Sequence, residues 1–109
     1  MLKQVVGILA GTALLGSLAF AQAGDVNAGK IVYDKKCRIC HGDNGEGNPE
    51  VAKKLNAEQK PLGSDDIQKQ SDADLRKTIT EGKGKMKPPK NVTDADITNV
   101  IAFVRTLKK

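Results

Sequence analysis

Residues 37–41 read Cys37-Arg38-Ile39-Cys40-His41, and this pentapeptide decides the architecture of the chain. Cys37 and Cys40 are three residues apart, so both sulfur atoms project to the same side of a helical turn. His41 follows directly. Two thiols beside an imidazole are the arrangement that attaches a c-type haem, because the sulfurs can bond to its two vinyl groups while the imidazole ligates the iron. No other cysteine or histidine competes for these roles.

Three other interpretations of this motif are weaker. A structural zinc site needs four ligands, and only three stand here. A thioredoxin-like redox motif needs a neighbouring βαβ pattern, and the sequence predicts no strand. A plain disulfide would explain the two cysteines but not the adjacent histidine. Covalent haem is therefore the favoured interpretation, with the disulfide and thiol-redox interpretations as the main alternatives.

The first 23 residues have the pattern of a cleavable secretory signal peptide. Lys3 supplies a basic start, residues 5–20 are apolar, and an Ala-Gln-Ala cleavage site ends at Ala23, with cleavage after Ala21 as the alternative. An uncleaved membrane anchor is less favoured, because this apolar stretch has 16 residues and a bilayer span needs roughly 20. Export to the bacterial periplasm is therefore expected. Thiols persist in an oxidising compartment only when bonded, which again favours haem attachment.

Cleavage would leave residues 24–109, a single small domain. This domain has 109 − 23 = 86 residues and a formal net charge of +4, because Lys3 is lost from a total of +5. Its only aromatic residues are Tyr33 and Phe103. A domain so small has a marginal core, which a large apolar cofactor would fill. The mild charge, without an arginine cluster or interleaved aromatics, argues against nucleic-acid binding.

The first predicted helix of this domain delivers the haem motif. Asp25 can cap a helix over residues 26–37, and the motif lies at its C-terminal end. Gly29 lies inside this helix, where glycine costs about 1 kcal/mol relative to alanine. A residue that costly suggests close approach by another backbone or by a bulky side chain.

Capping pairs and apolar spacing predict further helices. A short helix is expected near residues 51–55, and Ser64 can cap a brief turn. Ser71 with Asp74 begins a longer helix, which Gly82 stops. Thr93 and Asp96 form a second capping pair, which begins a final amphipathic helix. The apolar stripe of this helix consists of Ile97, Val100, Ile101, Val104 and Leu107. The prediction is a small all-α domain.

Met86 is the predicted sixth ligand of the iron. It is the only methionine after the signal, in a segment too rich in glycine and proline for a helix, with lysine on both sides. Its thioether is therefore expected to meet something specific, and Met/His ligation raises the reduction potential of haem iron. The alternative is a surface-loop methionine beside an open or lysine-ligated iron.

These features resemble class I c-type cytochromes, small monohaem bacterial electron carriers, over nearly all of residues 24–109. The shared marks are Gly29 and Tyr33, CRICH at 37–41, GKGKM at 82–86 and Phe103. The resemblance implies a bundle of about three to five helices around one haem c. It also implies a packing contact between Gly29 and Phe103.

The resemblance implies details of ligation as well. A loop carbonyl should orient His41 through Nδ1–H, and Pro49 is the nearest candidate. Two departures from the family pattern are Lys87, which precedes Pro88 where the family has proline directly after the methionine, and the absence of tryptophan.

The predicted function is one-electron transfer by a soluble periplasmic carrier that is not itself an enzyme. Its binding residues are Cys37, Cys40, His41 and Met86, the last two as iron ligands. Alternatives are a haem-based sensor, a haem subunit of a redox enzyme, or a haem-free thiol–disulfide oxidoreductase. Donor and acceptor proteins are the expected partners, and stable membrane insertion after cleavage is not expected. Four lysines that could dock an acidic partner, or form only a solvated loop, are Lys83, Lys85, Lys87 and Lys90.

Overall fold

A computed structural model describes residues 24–109, and the predicted signal peptide, residues 1–23, lies outside them. Within residues 24–109 the secondary structure is helical, apart from one isolated bridge between Lys83 and Met86. The predicted all-α fold is confirmed. Two of the helices are single turns of four residues. In chain order the helices are α1 (Val26–Lys36), α2 (Arg38–His41), α3 (Pro49–Leu55), α4 (Asp65–Gln68), α5 (Asp72–Glu81) and α6 (Asp94–Arg105).

Side-chain caps begin the three longest helices where the sequence predicts them. The carboxylate of Asp25 accepts a first-turn N–H of α1 at 3.1 Å, and Ser71 Oγ does the same for α5 at 3.0 Å. Thr93 and Asp96 form a reciprocal capping box on α6. Ser64 occupies the cap position of α4 but makes no capping hydrogen bond there.

The crossing of α1 and α6 is the most extensive helix contact of the described residues. Gly29 is buried in it, and a Cβ built there would overlap the carbonyl of Asn99 and lie 3.0 Å from Val100 N. The glycine thus permits the close backbone approach that its helical position suggests. The aromatic contact lies beside it and joins Tyr33 to Phe103, with ring centroids 5.0 Å apart. The nearest partner of Gly29 is therefore Asn99 backbone rather than the predicted Phe103.

The core of the described residues is small. It holds seven buried apolar side chains, and Tyr33 is wholly inaccessible. One cluster joins α5 to α6 through Leu75, Ile97 and Ile101. The predicted stripe of α6 is buried except for Leu107, which lies beyond the end of the helix at Arg105 and is half-buried. Within residues 24–109, no helix is both long and apolar enough to cross a bilayer.

Gly29→Ala is expected to destabilise the protein, because the new methyl group meets backbone that cannot move aside cheaply. Overpacking of this kind costs about 1–3 kcal/mol, which outweighs the gain in helix propensity of about 1 kcal/mol. The free energy of unfolding, measured with denaturant, should fall. Asn27→Ala, at an exposed position of the same helix, is the control and should be neutral or slightly stabilising. A Gly29→Ala protein as stable as the control would contradict the close crossing.

Candidate haem site

The haem motif folds as a separate turn rather than as the end of α1. Cys37 ends α1, with its N–H bonded to Tyr33 O at 2.9 Å, and its φ of −121° breaks the helix there. The same residue starts α2, since its carbonyl accepts the N–H groups of Cys40 and His41 at 3.2 and 3.0 Å. The three predicted attachment residues therefore lie in one hydrogen-bonded turn. The predicted helix over 26–37 is one residue shorter than expected.

A four-residue helix cannot satisfy its own carbonyl groups, so other segments must do so. Gly42 N bonds to Arg38 O at 2.8 Å, and Gly47 N bonds to His41 O at 2.7 Å. The two middle carbonyls, those of Ile39 and Cys40, have side-chain donors instead, 3.0 and 2.6 Å away. Every carbonyl of α2 thus has a partner, which holds the turn in one conformation.

Tyr33 adds a further tether just after α2. Its hydroxyl donates to Gly42 O at 2.6 Å from a fully buried ring. Burial, with the nearby Cys37 thiol as a second cause, raises the pKa of Tyr33 to about 12. The hydroxyl therefore keeps its proton and remains a donor at neutral pH. One side chain of α1 thus packs on Phe103 of α6 and also holds the haem-motif loop.

The protonation state of His41 suits iron ligation, and that of Cys37 argues against thiol exchange. Burial lowers the pKa of His41, so its imidazole is neutral at pH 7, which is the form that binds a metal. Burial and the neighbouring Cys40 raise the pKa of Cys37 to about 11. A thiol with so high a pKa is a poor nucleophile for disulfide exchange, which weakens the thiol–disulfide interpretation. No group of three or more convergent His, Cys, Asp or Glu side chains occurs in residues 24–109, as a zinc site would require.

Met86 lies in a tight turn between α5 and α6. Its N–H bonds to Lys83 O at 2.9 Å, and the reverse bond from Lys83 N to Met86 O is 3.0 Å. Gly84 has a φ of +58° at the first central position, as hairpin turns of this length prefer. A Cβ at Gly82 would lie 2.6 Å from Met86 O, so glycine is required there too. The loop is specifically shaped, and the Met86 side chain is half-buried.

The structure gathers three of the four predicted site residues in one turn and sets Met86 on a separate loop. Among the described residues, no hydrogen bond joins the loop of Met86 to α2, and none leaves the His41 ring. Axial ligation by Met86 and the Pro49 carbonyl partner of His41 therefore stay predictions. The sequence reasoning missed Asn48 and Gln59. Asn48 could have been predicted, because asparagine directly before proline is a recognisable helix cap. No local pattern marks Gln59.

The fold and the CRICH turn together define a class I c-type cytochrome. The structure is similar to that of the KustC0563 c-type cytochrome, with a TM-score of 0.63 and 27% sequence identity over 74% of this chain and 98% of that one. The family model described as "Cytochrome C oxidase, cbb3-type, subunit III" matches residues 24–104. The chain belongs to this family of c-type cytochromes.

Curated relatives carry names from the same family. The Cbb3-type cytochrome c oxidase subunit FixP of Bradyrhizobium sp. (strain ORS 278) is 39% identical over 75 residues, which are 68% of this chain and 24% of the relative. Subunit CcoP of Azospirillum brasilense is 35% identical over 82 residues, 72% of this chain and 27% of the relative. The chain thus spans about a quarter of the length of these relatives.

Proposed function

We propose that this chain is a one-electron carrier of the bacterial periplasm, with one haem c bound to Cys37 and Cys40 and ligated by His41 and Met86. The observation that supports this most is the α2 turn, which places both thiols beside a neutral imidazole and satisfies every carbonyl. A haem held there would supply the one-electron chemistry of its iron. The chain itself is proposed to have no enzymatic activity.

Each of the four proposed haem-binding residues would have a distinct role in an electron carrier. Thioether bonds from the two cysteines would anchor the cofactor, so that it cannot dissociate between partners. His41 and Met86 would fill both axial positions, which leaves no position for an exchangeable substrate and favours a raised reduction potential.

A second candidate function is a haem domain that passes electrons within a larger oxidase assembly. The names of the curated relatives favour it, since both are subunits of cbb3-type oxidases. Cell fractionation separates the two candidates. A freely diffusing carrier should be released with the soluble periplasmic fraction. Retention in the membrane fraction, together with copurification of an oxidase, would support the second candidate instead.

Carbon monoxide tests whether the iron is closed to ligands. The reduced holoprotein should keep its visible spectrum under carbon monoxide at neutral pH, because both axial positions are filled. The Met86→Ala protein, in which one position opens, is the positive control and should bind the gas. Binding to the unaltered protein would contradict the carrier function and favour a ligand sensor.

The lysines around Met86 are expected to steer an acidic redox partner. Lys83, Lys85, Lys87 and Lys90 are all exposed, and none forms an ion pair with another described residue. Such charges speed encounter more than they tighten a complex. The second-order rate of electron transfer should therefore fall as salt rises, since the Debye length shrinks from about 10 Å at 0.1 M to about 3 Å at 1 M.

Charge reversal tests this surface. Lys85→Glu with Lys87→Glu should lower the rate at low salt and flatten its salt dependence, with the visible spectrum unchanged. Lys53→Glu with Lys54→Glu on α3 makes the same change in net charge at exposed positions elsewhere and should have a smaller effect. Equal effects of the two pairs would mean that the lysines near Met86 form only a solvated loop.

A further inference from the structure

Gln59 is a loop residue that holds the haem motif from a distance of 19 positions in the sequence. It lies between α3 and α4, is half-buried, and uses both ends of its side-chain amide. Nε2 donates to Cys40 O at 2.6 Å, and Oε1 accepts from Asn48 N at 3.0 Å. A surface glutamine normally exchanges its partners with water, whereas this one has two fixed partners in the segment that carries the motif.

Asn48 holds the carbonyl of Ile39, next to the Cys40 carbonyl that Gln59 holds. Its Nδ2 donates to Ile39 O at 3.0 Å, while its Oδ1 accepts the Glu50 and Val51 N–H groups that begin α3. Since Gln59 binds the backbone of Asn48, the two side chains form one linked unit. This unit supplies the only described donors to the two middle carbonyls of α2.

The carbonyls that Asn48 and Gln59 hold lie next to the predicted haem-binding residues. Ile39 O and Cys40 O belong to the peptide groups directly before Cys40 and His41, so their orientation sets that of the thiol and the imidazole. The N–H groups of these two peptides bond to Cys37 O within the turn, but helix α2 is too short to supply donors to their carbonyls. The carbonyl side of the last turn before the proposed iron ligand is therefore held from outside, by side chains that follow later in the chain.

We propose that Gln59 is a positioning residue, which fixes the orientation of Cys40 and His41 toward the haem through the Cys40 carbonyl. This rests on the proposed function, in that it requires a haem bound at the CRICH turn. Without the Nε2 donor, the Cys40 carbonyl would be unpaired or would admit water. An unpaired carbonyl dipole and water both favour the more positive ferric state, so the midpoint potential should fall.

The test replaces Gln59 with methionine in the holoprotein. Methionine has a similar length but offers no amide donor to Cys40 O. The expected result is a lower midpoint potential and displaced or broadened NMR signals of the His41 ring and the haem methyl groups, with haem still covalently bound. A residue that served stability alone would leave the potential and these signals unchanged.

Arg105→Met is the matched control for lost stability. Arg105 donates to the carbonyls of Gln68 and Gln70 at 2.8 and 2.6 Å and pairs with Asp72. It therefore holds α6 against the segment from the end of α4 to the start of α5, without a bond to α2. Both variants should unfold at lower denaturant concentration. Only Gln59→Met should lower the potential, and equal potentials in both variants would overturn the proposal.

Asn48→Ser is a milder second variant, should Gln59→Met not assemble with haem. Serine is as good a helix cap as asparagine but cannot reach Ile39 O with a donor. It should shift the potential and the His41 signals in the same direction by a smaller amount, and unchanged values would count against the proposal. Failure of the proposed function would be visible separately, because the unaltered protein would then lack covalent haem.

Discussion

Replacing both Cys37 and Cys40 with alanine is expected to abolish covalent haem attachment completely. These are the only thiols in the sequence, and both lie in the turn that starts at Cys37. The unaltered protein should keep its haem through denaturing electrophoresis and acid–organic extraction, whereas the double variant should show no haem-dependent staining. Because the described core has only seven buried apolar side chains, the variant should also lose cooperative unfolding.

The control for this prediction changes the motif but keeps its thiols. Ile39→Ala alters an exposed side chain between the two cysteines and should leave attachment intact. Haem that could be extracted intact from the unaltered protein would rule out thioether bonds. The same result would also remove the basis for a c-type site in this chain.

Met86→Ala is expected to have the second-largest effect, on the electronic state of the iron. A thioether ligand gives ferric haem a weak red charge-transfer band and raises its reduction potential. The variant should lose this band, and its potential should fall on the order of 0.1 V or more, within the ~0.8 V range that axial ligands control. Visible spectroscopy and a redox titration of the purified holoprotein would measure both quantities.

A neighbouring substitution provides the comparison for Met86. Lys87→Ala removes the adjacent exposed side chain but leaves the thioether and the bonded turn of residues 83–86 in place. The Lys87→Ala protein should keep the red charge-transfer band, and its reduction potential should change much less than that of Met86→Ala. If the band survived in Met86→Ala, another residue would be the sixth ligand, and the lysines of this loop would be the first to examine.

Local sequence patterns predicted the helices well because their signals act over a few residues. Asp25, Ser71 and Thr93 each cap a helix as expected, since a cap needs only a side-chain oxygen and the N–H groups two or three positions on. Ser64 is the exception, because its hydroxyl is buried without a partner instead of capping α4. The break at Cys37 was not predicted either, since no glycine or proline marks it.

The close crossing of helices was predictable only in part. Gly29 in a helix interior indicated that something approaches it closely, but not what. Asn99 is 70 positions away in the sequence, and only the packing of α6 on α1 brings its carbonyl there. The partner of Tyr33 likewise depends on the crossing angle, which no local pattern encodes.

The sequence alone determined the chemistry of the site, because two thiols and an imidazole at fixed spacing offer the same groups in any local turn. It also determined the helical class, through caps and apolar spacing that act within one or two turns. Tertiary structure decided how the turn is held. The two middle carbonyls of α2 need donors that a four-residue helix cannot supply, and these come from Asn48 and Gln59, while Tyr33 holds the Gly42 carbonyl just after the helix. Such bonds join positions 9 to 19 residues apart through loops, so only the folded chain specifies them.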